Sequence, residues 1–161
     1  MKIRFEFTLL FLLLVVTRSS GQTAEPIKVY DFEEFGCEEL KIRTFNLLKE
    51  IAKYPESRGY IIGYDGKYRR FNPHSSSTFD YKYAFPRIGE LKSRLGLIKK
   101  QLVWFHASPR DFVFTNGGVR QHLTIEYFVV PKGAPTPKPT PTLKNIPHVR
   151  GVAPRPALSD C

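Results

Sequence analysis

Apolar and polar positions alternate from residue 27 to residue 35 (Ile-Lys-Val-Tyr-Asp-Phe-Glu-Glu-Phe), the period-two signature of a strand. Gly36 interrupts it and a helical period takes over, with Leu40, Leu47, Leu48 and Ile51 on one face. Glu38 and Glu39 open this helix and Lys49 and Lys53 close it, the charge order that the helix dipole favours. Pro55 stops it. Arg58 to Tyr64 is a near-continuous apolar run, which predicts a central strand buried on both faces and closed by an Asp65-Gly66 turn. The stretch from Lys67 to about Ala84, rich in Ser, Tyr and Arg, reads as a long loop. A second helix is predicted from near Pro86, a residue suited to the first helical position. Its apolar positions are Ile88, Leu91, Leu95, Ile98 and Leu102, while Gly89 and Gly96 each weaken it by about 1 kcal/mol relative to alanine. Asp111 to Thr115 reads as a strand and Asn116-Gly117-Gly118 as a hairpin turn. Leu123, Ile125, Tyr127 and Val129 alternate with Thr124, Glu126 and Phe128 in a last strand that Pro131 ends.

The order strand, helix, strand, helix, strand, strand predicts a small α/β (α+β) sandwich. Its sheet is mixed, with at least one parallel pair across a helix, a final antiparallel hairpin, and the helices packed on one face.

The ends of the chain differ from this middle. Lys2 and Arg4 precede an apolar run from Phe7 to Val16, and Ser19, Ser20 and Gly21 follow it. Cation, apolar run and small residues in that order predict a signal peptide over residues 1–21, cleaved after Gly21. The run is shorter than the roughly 20 residues that span a bilayer, and no later stretch is apolar enough to do so. Residues 22–131 then make the domain. Residues 132–161, which after Ala134 run Pro-Thr-Pro-Lys-Pro-Thr-Pro-Thr, read as an extended polyproline-II tail, disordered and outside the core.

The formal charge is +10, of which the leader holds Lys2, Arg4 and Arg18 against Glu6. Such a balance favours acidic partners, and an exported protein meets anionic wall polymers and lipid head groups before nucleic acid. Two cysteines, Cys37 and Cys161, are too few for a disulfide framework. An oxidising compartment permits a bond between them; a buried Cys37 with a free terminal thiol, or an intermolecular bridge, are the other arrangements.

Catalytic patterns are weak. His106, Ser108 and Asp111 have the chemistry of a triad but crowd one helix–strand junction without the strained turn that presents a nucleophile. His74, His106, His122 and His148 lack metal-ligand spacing. Gly63 to Lys67 lacks the first glycine and the hydroxyl of a phosphate loop. No catalytic residue, metal or cofactor is therefore expected. The segment Lys67-Tyr68-Arg69-Arg70-Phe71, with Tyr81-Lys82-Tyr83, interleaves cations and rings in a way that suits single-stranded nucleic acid, which the expected export argues against, and an anionic glycan equally well.

Arg58-Gly59-Tyr60-Ile61-Ile62, the string from Asn116 to Glu126 and Val130-Pro131-Lys132-Gly133-Ala134 before a Pro/Thr tail resemble a group of uncharacterised exported bacterial proteins. More distantly, Asp65 after the central strand and Arg87-Ile88-Gly89-Glu90-Leu91-Lys92-Ser93-Arg94-Leu95 resemble the OmpA-like peptidoglycan-binding domain. In that family an aspartate and an arginine that opens a helix hold the zwitterionic diaminopimelate of the wall peptide. Tyr64 stands where the family has threonine, and Ile88 where it has alanine. The resemblance implies a site at Asp65 and Arg87, a carboxylate for an ammonium and a guanidinium for a carboxylate; the basic loop adds Lys67, Arg69 and Arg70 as candidate binding residues.

The expectation is a non-catalytic binding module of the periplasm or cell envelope, for peptidoglycan or another anionic wall polymer. An accessory protein docking on a protein partner through the aromatic loop or the tail is the alternative, and a hydrolase using His106 or His122 a third.

Overall fold

The computed structural model describes residues 24–33, 36–71 and 81–152. The leader, His74 and Cys161 lie outside the described residues. In chain order the elements are β1 (Ile27–Phe32), α1 (Cys37–Ala52), β2 (Arg58–Phe71), β3 (Tyr81–Ala84), β4 (Arg87–Ile88), α2 (Glu90–Trp104), a 3-10 turn (Pro109–Asp111), β5 (Phe112–His122), β6 (Thr124–Val130) and β7 (Val149–Val152). The class is α+β and the main elements follow the predicted order.

The long strand β2 is the spine of the sheet. It pairs antiparallel with β6 and parallel with β5, while β1 adds antiparallel to β6. The parallel pair is the one that α2 crosses between, as a helical crossover requires. Because β2 lies between β5 and β6, these two consecutive strands do not form the expected hairpin.

Both predicted turns inside the sheet are corrected. Gly66 lies within β2, and a Cβ there would stand 2.2 Å from the carbonyl carbon of His122 and 2.4 Å from the nitrogen of Leu123. This glycine serves close approach: the corner between β5 and β6 presses on β2, and Leu123 N–H donates to Lys67 O at 2.8 Å. Asn116-Gly117-Gly118 lies within β5. Gly63 pairs with Asn116 and Asp65 with Val119, so β5 carries an extra residue, a bulge that Gly118 absorbs at φ +92°. The predicted long loop is also shorter than expected. Tyr68–Phe71 of β2 pair antiparallel with Tyr81–Ala84 of β3, and the intervening 72–80 lie outside the described residues.

Both helices pack on one face of the sheet. Leu40 and Leu47 of α1 and Leu91, Leu97, Ile98 and Leu102 of α2 bury against Ile61, Ile125, Tyr127 and Val129. Helix α2 begins at Glu90, not Pro86. Arg87 instead pairs with Val149 in a two-stranded ladder, and Gly89 at φ +83° turns the chain into the helix. The helix ends where the N–H groups of Ala107 and His106 bond the carbonyls of Leu102 and Val103, with His106 left-handed at φ 59°. This double closure is a Schellman motif, so the position of His106 is explained by helix termination.

The opposite face holds Ile62, Tyr64 and Phe128. Here the expected disordered tail departs most from the structure. Thr140 N–H donates to the Tyr64 hydroxyl at 3.1 Å, and the N–H groups of Thr142 and Leu143 both donate to Val119 O at 3.0 Å. Pro137 and Ile146 are buried, and β7 then pairs parallel with β4. A polyproline-type chain makes no internal backbone bonds. It joins this fold because its few non-proline donors find acceptors on the sheet. Residues 153–161 lie outside the described residues. Cys37, in the first turn of α1, is disulfide-bonded.

Candidate binding groove at Asp65

Two features of β2 place Asp65. The alternation that sends Ile62 and Tyr64 to the tail-covered face sends Gly63 and Asp65 toward α2. At Gly63 a Cβ would meet Leu91 at 2.6 Å, so the strand and the first turn of α2 lie close. Beyond that contact the surfaces part into a hollow of about 520 Å³. Asp65, Glu90, Lys92, Lys99, Phe114 and Asn116 are among the residues that line it.

The charges within it are arranged unevenly. Glu90 is buried and bonds Arg94 Nε at 3.2 Å, one helical turn on. Lys99 holds its ammonium 4.6 Å from the centroid of the Phe114 ring, a cation–π contact. Asp65 accepts from the Gly66 N–H through Oδ1 at 3.0 Å, and its Oδ2 stands 2.7 Å from Nε2 of His148, which the tail brings back to the domain. The hollow is thus lined by two carboxylates, Glu90 paired with Arg94 and Asp65 with His148, together with two lysines, an amide and an aromatic wall.

Of the five residues singled out from sequence, Asp65 alone lines this hollow. Arg87 sits in β4, two residues before Gly89. Lys67 lies 4.9 Å from the centroid of the Phe85 ring. Arg69 is exposed on β2 and its charge acts on Glu33. Arg70 pairs with Lys82 through the backbone, and its side chain lies outside the described residues. The basic segment is therefore spread along β2, where alternate residues point to opposite faces.

Two constellations escaped the sequence reading. On the tail-covered face, Glu126 is buried and its Oε1 bonds Lys28 Nζ at 2.6 Å and Arg120 Nη2 at 3.0 Å. Its Oε2 accepts from the Tyr64 hydroxyl at 2.8 Å. Arg120 lies 3.6 Å over the Tyr64 ring and donates to Thr140 Oγ1 at 2.6 Å and Thr140 O at 3.2 Å. Burial opposes the charge of Glu126, but the bonds from Lys28, Tyr64 and Arg120 outweigh it and hold the carboxyl below its ordinary value of 4.5. This is the clasp that holds the tail. Its members are remote in sequence, and the one local signal is an acidic residue inside an apolar strand.

The second constellation is at the corner between β5 and β6. His122 Nδ1 stands 2.8 Å from Glu33 Oε1, the Tyr83 hydroxyl donates to Glu33 Oε2 at 2.9 Å, and the rings of Tyr83 and His122 stack at 4.2 Å. Burial again works against the Glu33 charge, and the bonds from His122 and Tyr83 overcome it, lowering its pKa.

Ser108 accepts from Arg110 N–H and caps the 3-10 turn, which accounts for its place beside His106 and Asp111. Among the described residues no group of three His, Cys, Asp or Glu side chains is placed to hold a metal ion. Among them, too, no helix is long and apolar enough to cross a membrane. No family model matches the chain, no curated protein is similar to it, and no solved structure matches it.

Proposed function

We propose that the protein is a non-catalytic binding module of the cell envelope, and that the hollow at Asp65 takes a charged fragment of a wall polymer. One observation carries this reading: with Glu90 paired to Arg94, the carboxylate of Asp65 and two lysines, Lys92 and Lys99, line a single apolar-walled hollow. A zwitterionic group such as an amino acid of a wall peptide needs that set, an anion for its ammonium and a cation for its carboxylate. Lys92 and Lys99 supply the cations of the hollow. Asp65 is engaged by His148, so an incoming ammonium competes with the tail for the same oxygen. The tail over 132–152 is committed to its own domain, which works against its serving as a free ligand for another protein.

The test is co-sedimentation of the chain from Gln22 onward with isolated wall sacculi, at low and high salt. Binding that resists salt, falls about tenfold in Asp65→Ala and in Lys99→Ala, and rises in His148→Ala is the expected result. Binding that vanishes with salt and ignores all three substitutions would reduce the interaction to net charge.

A further inference from the structure

The outer side of the helices carries apolar side chains that the described fold leaves open. On α1, Ile42 is 59% and Phe45 49% exposed; at the end of α2, Val103 is 58% and Trp104 59% exposed. The surface is continuous. The rings of Phe45 and Phe105 lie 5.9 Å apart, and those of Phe105 and Trp104 meet edge to face at 4.7 Å. Leaving so much large apolar surface exposed to water is costly unless something covers it.

Lysines share the same helical rows as these rings. Lys49 follows Phe45 by four residues, with its ammonium 5.7 Å from the ring centroid. Lys100 precedes Trp104 by four residues and is exposed. Residues four apart lie on one helix face, so the exposed rings of Phe45 and Trp104 each have a cation one turn away. The nearby acids Glu38 and Glu50 are engaged by Lys41 and Lys53. The chain as a whole carries +10.

We infer that this patch docks the protein on an anionic lipid surface. Trp104 and Phe45 enter the head-group layer, where amphipathic and aromatic rings settle. The lysine stems lie along the apolar surface and carry their charges to the lipid phosphates. A protein-binding face would be depleted of lysine at its centre, whereas here a lysine stands one turn from the exposed ring on each helix. The mode is peripheral: the patch lies on the bilayer. It is a different surface from the Asp65 hollow, built on the last turn of α2 where the hollow uses the preceding turns, so the inference stands apart from the wall-polymer reading.

Trp104 is the one tryptophan of the chain, so its emission reports on the patch directly. The chain from Gln22 onward, which holds every described element and lacks the apolar leader, is titrated with vesicles of phosphatidylcholine alone or mixed with phosphatidylglycerol. The expected result is a blue shift and co-flotation with the anionic vesicles, about tenfold weaker with phosphatidylcholine alone. Flotation should also fall about tenfold in Phe45→Ser, in Trp104→Ser and in the Lys49→Ala, Lys100→Ala pair. These positions are exposed, and an unchanged far-ultraviolet spectrum verifies the fold. Three results would overturn the inference: no blue shift with anionic vesicles, flotation indifferent to Phe45→Ser and Trp104→Ser, or concentration-dependent self-association that Trp104→Ser abolishes, which assigns the patch to a second copy of the chain.

Discussion

Replacing Glu126 with alanine is expected to destabilise the protein by about 3–5 kcal/mol, because it strands a set of cations gathered around one buried carboxylate. Arg120 and Lys28 lose their shared partner, and the Tyr64 hydroxyl loses its acceptor. Arg120 also holds Thr140, so the damage spreads to the tail. Glu126→Gln keeps the shape and an acceptor for Tyr64 and should cost less. The pH dependence has a definite sign. The folded carboxyl sits below its ordinary value of 4.5, so its contribution is fully present above that value and is lost as pH falls through the lowered one. Glu33 acts in the same direction from a more exposed position, so its share is smaller. Urea denaturation at neutral and at acid pH measures both points. The wild type should lose stability on acidification, and Glu126→Gln should show a shallower loss. Equal pH profiles for the two proteins would show that the clasp is electrostatically idle.

The same substitution, glycine to alanine, should have opposite effects at two positions. At Gly66 the added methyl meets three backbone atoms of His122 and Leu123 within 2.5 Å. Backbone cannot step aside as a side-chain tip can, so β2 must separate from the corner between β5 and β6. The Leu123 N–H bond to Lys67 O is then lost. The expected cost is about 3 kcal/mol, the upper end for overpacking. At Gly96, inside α2, nothing stands within 4 Å of the new methyl, and alanine is the better helix former. Gly96→Ala should stabilise by about 1 kcal/mol. Denaturation midpoints of the two variants measured side by side test the contrast. A Gly66→Ala protein of wild-type stability would contradict the close strand approach.

That contrast also marks what the sequence could tell. Helix α1 was legible because its signals were local: acids in the first turn, a basic end, and an apolar face carrying Leu40 and Leu47. The buried run of β2 and the alternation of β6 were legible for the same reason. Asp65-Gly66 and Asn116-Gly117-Gly118 were misread because glycine serves two needs, a turn and a close approach, and only the neighbouring strand decides between them. Pro86 suggested a helix start, but Arg87 was claimed by backbone pairing with Val149, a partner distant in the chain. Asp65 is singled out from sequence as the residue that closes a strand, whereas β2 runs on through it to Phe71. The lysines that share its hollow come from α2 and carry no pattern that links them to it. The Glu126 clasp joins β1, β2, β5, β6 and the tail, so its logic appears only once the sheet is assembled. The tail was the largest miss. Its composition describes the backbone's lack of internal bonds correctly and is silent about Thr140, Ile146 and His148, the side chains that tie it down.

The central claim is that this tail closes on the domain and brings His148 onto Asp65. Residue-specific amide hydrogen exchange tests it most directly, because four tail amides have named acceptors: Thr140 on the Tyr64 hydroxyl, Thr142 and Leu143 on Val119 O, and Val149 on Pro86 O. The account predicts that all four exchange far more slowly than an unstructured peptide and that Glu126→Gln speeds the exchange of Thr140 first. Exchange of all four at unstructured-peptide rates in the wild type would contradict it.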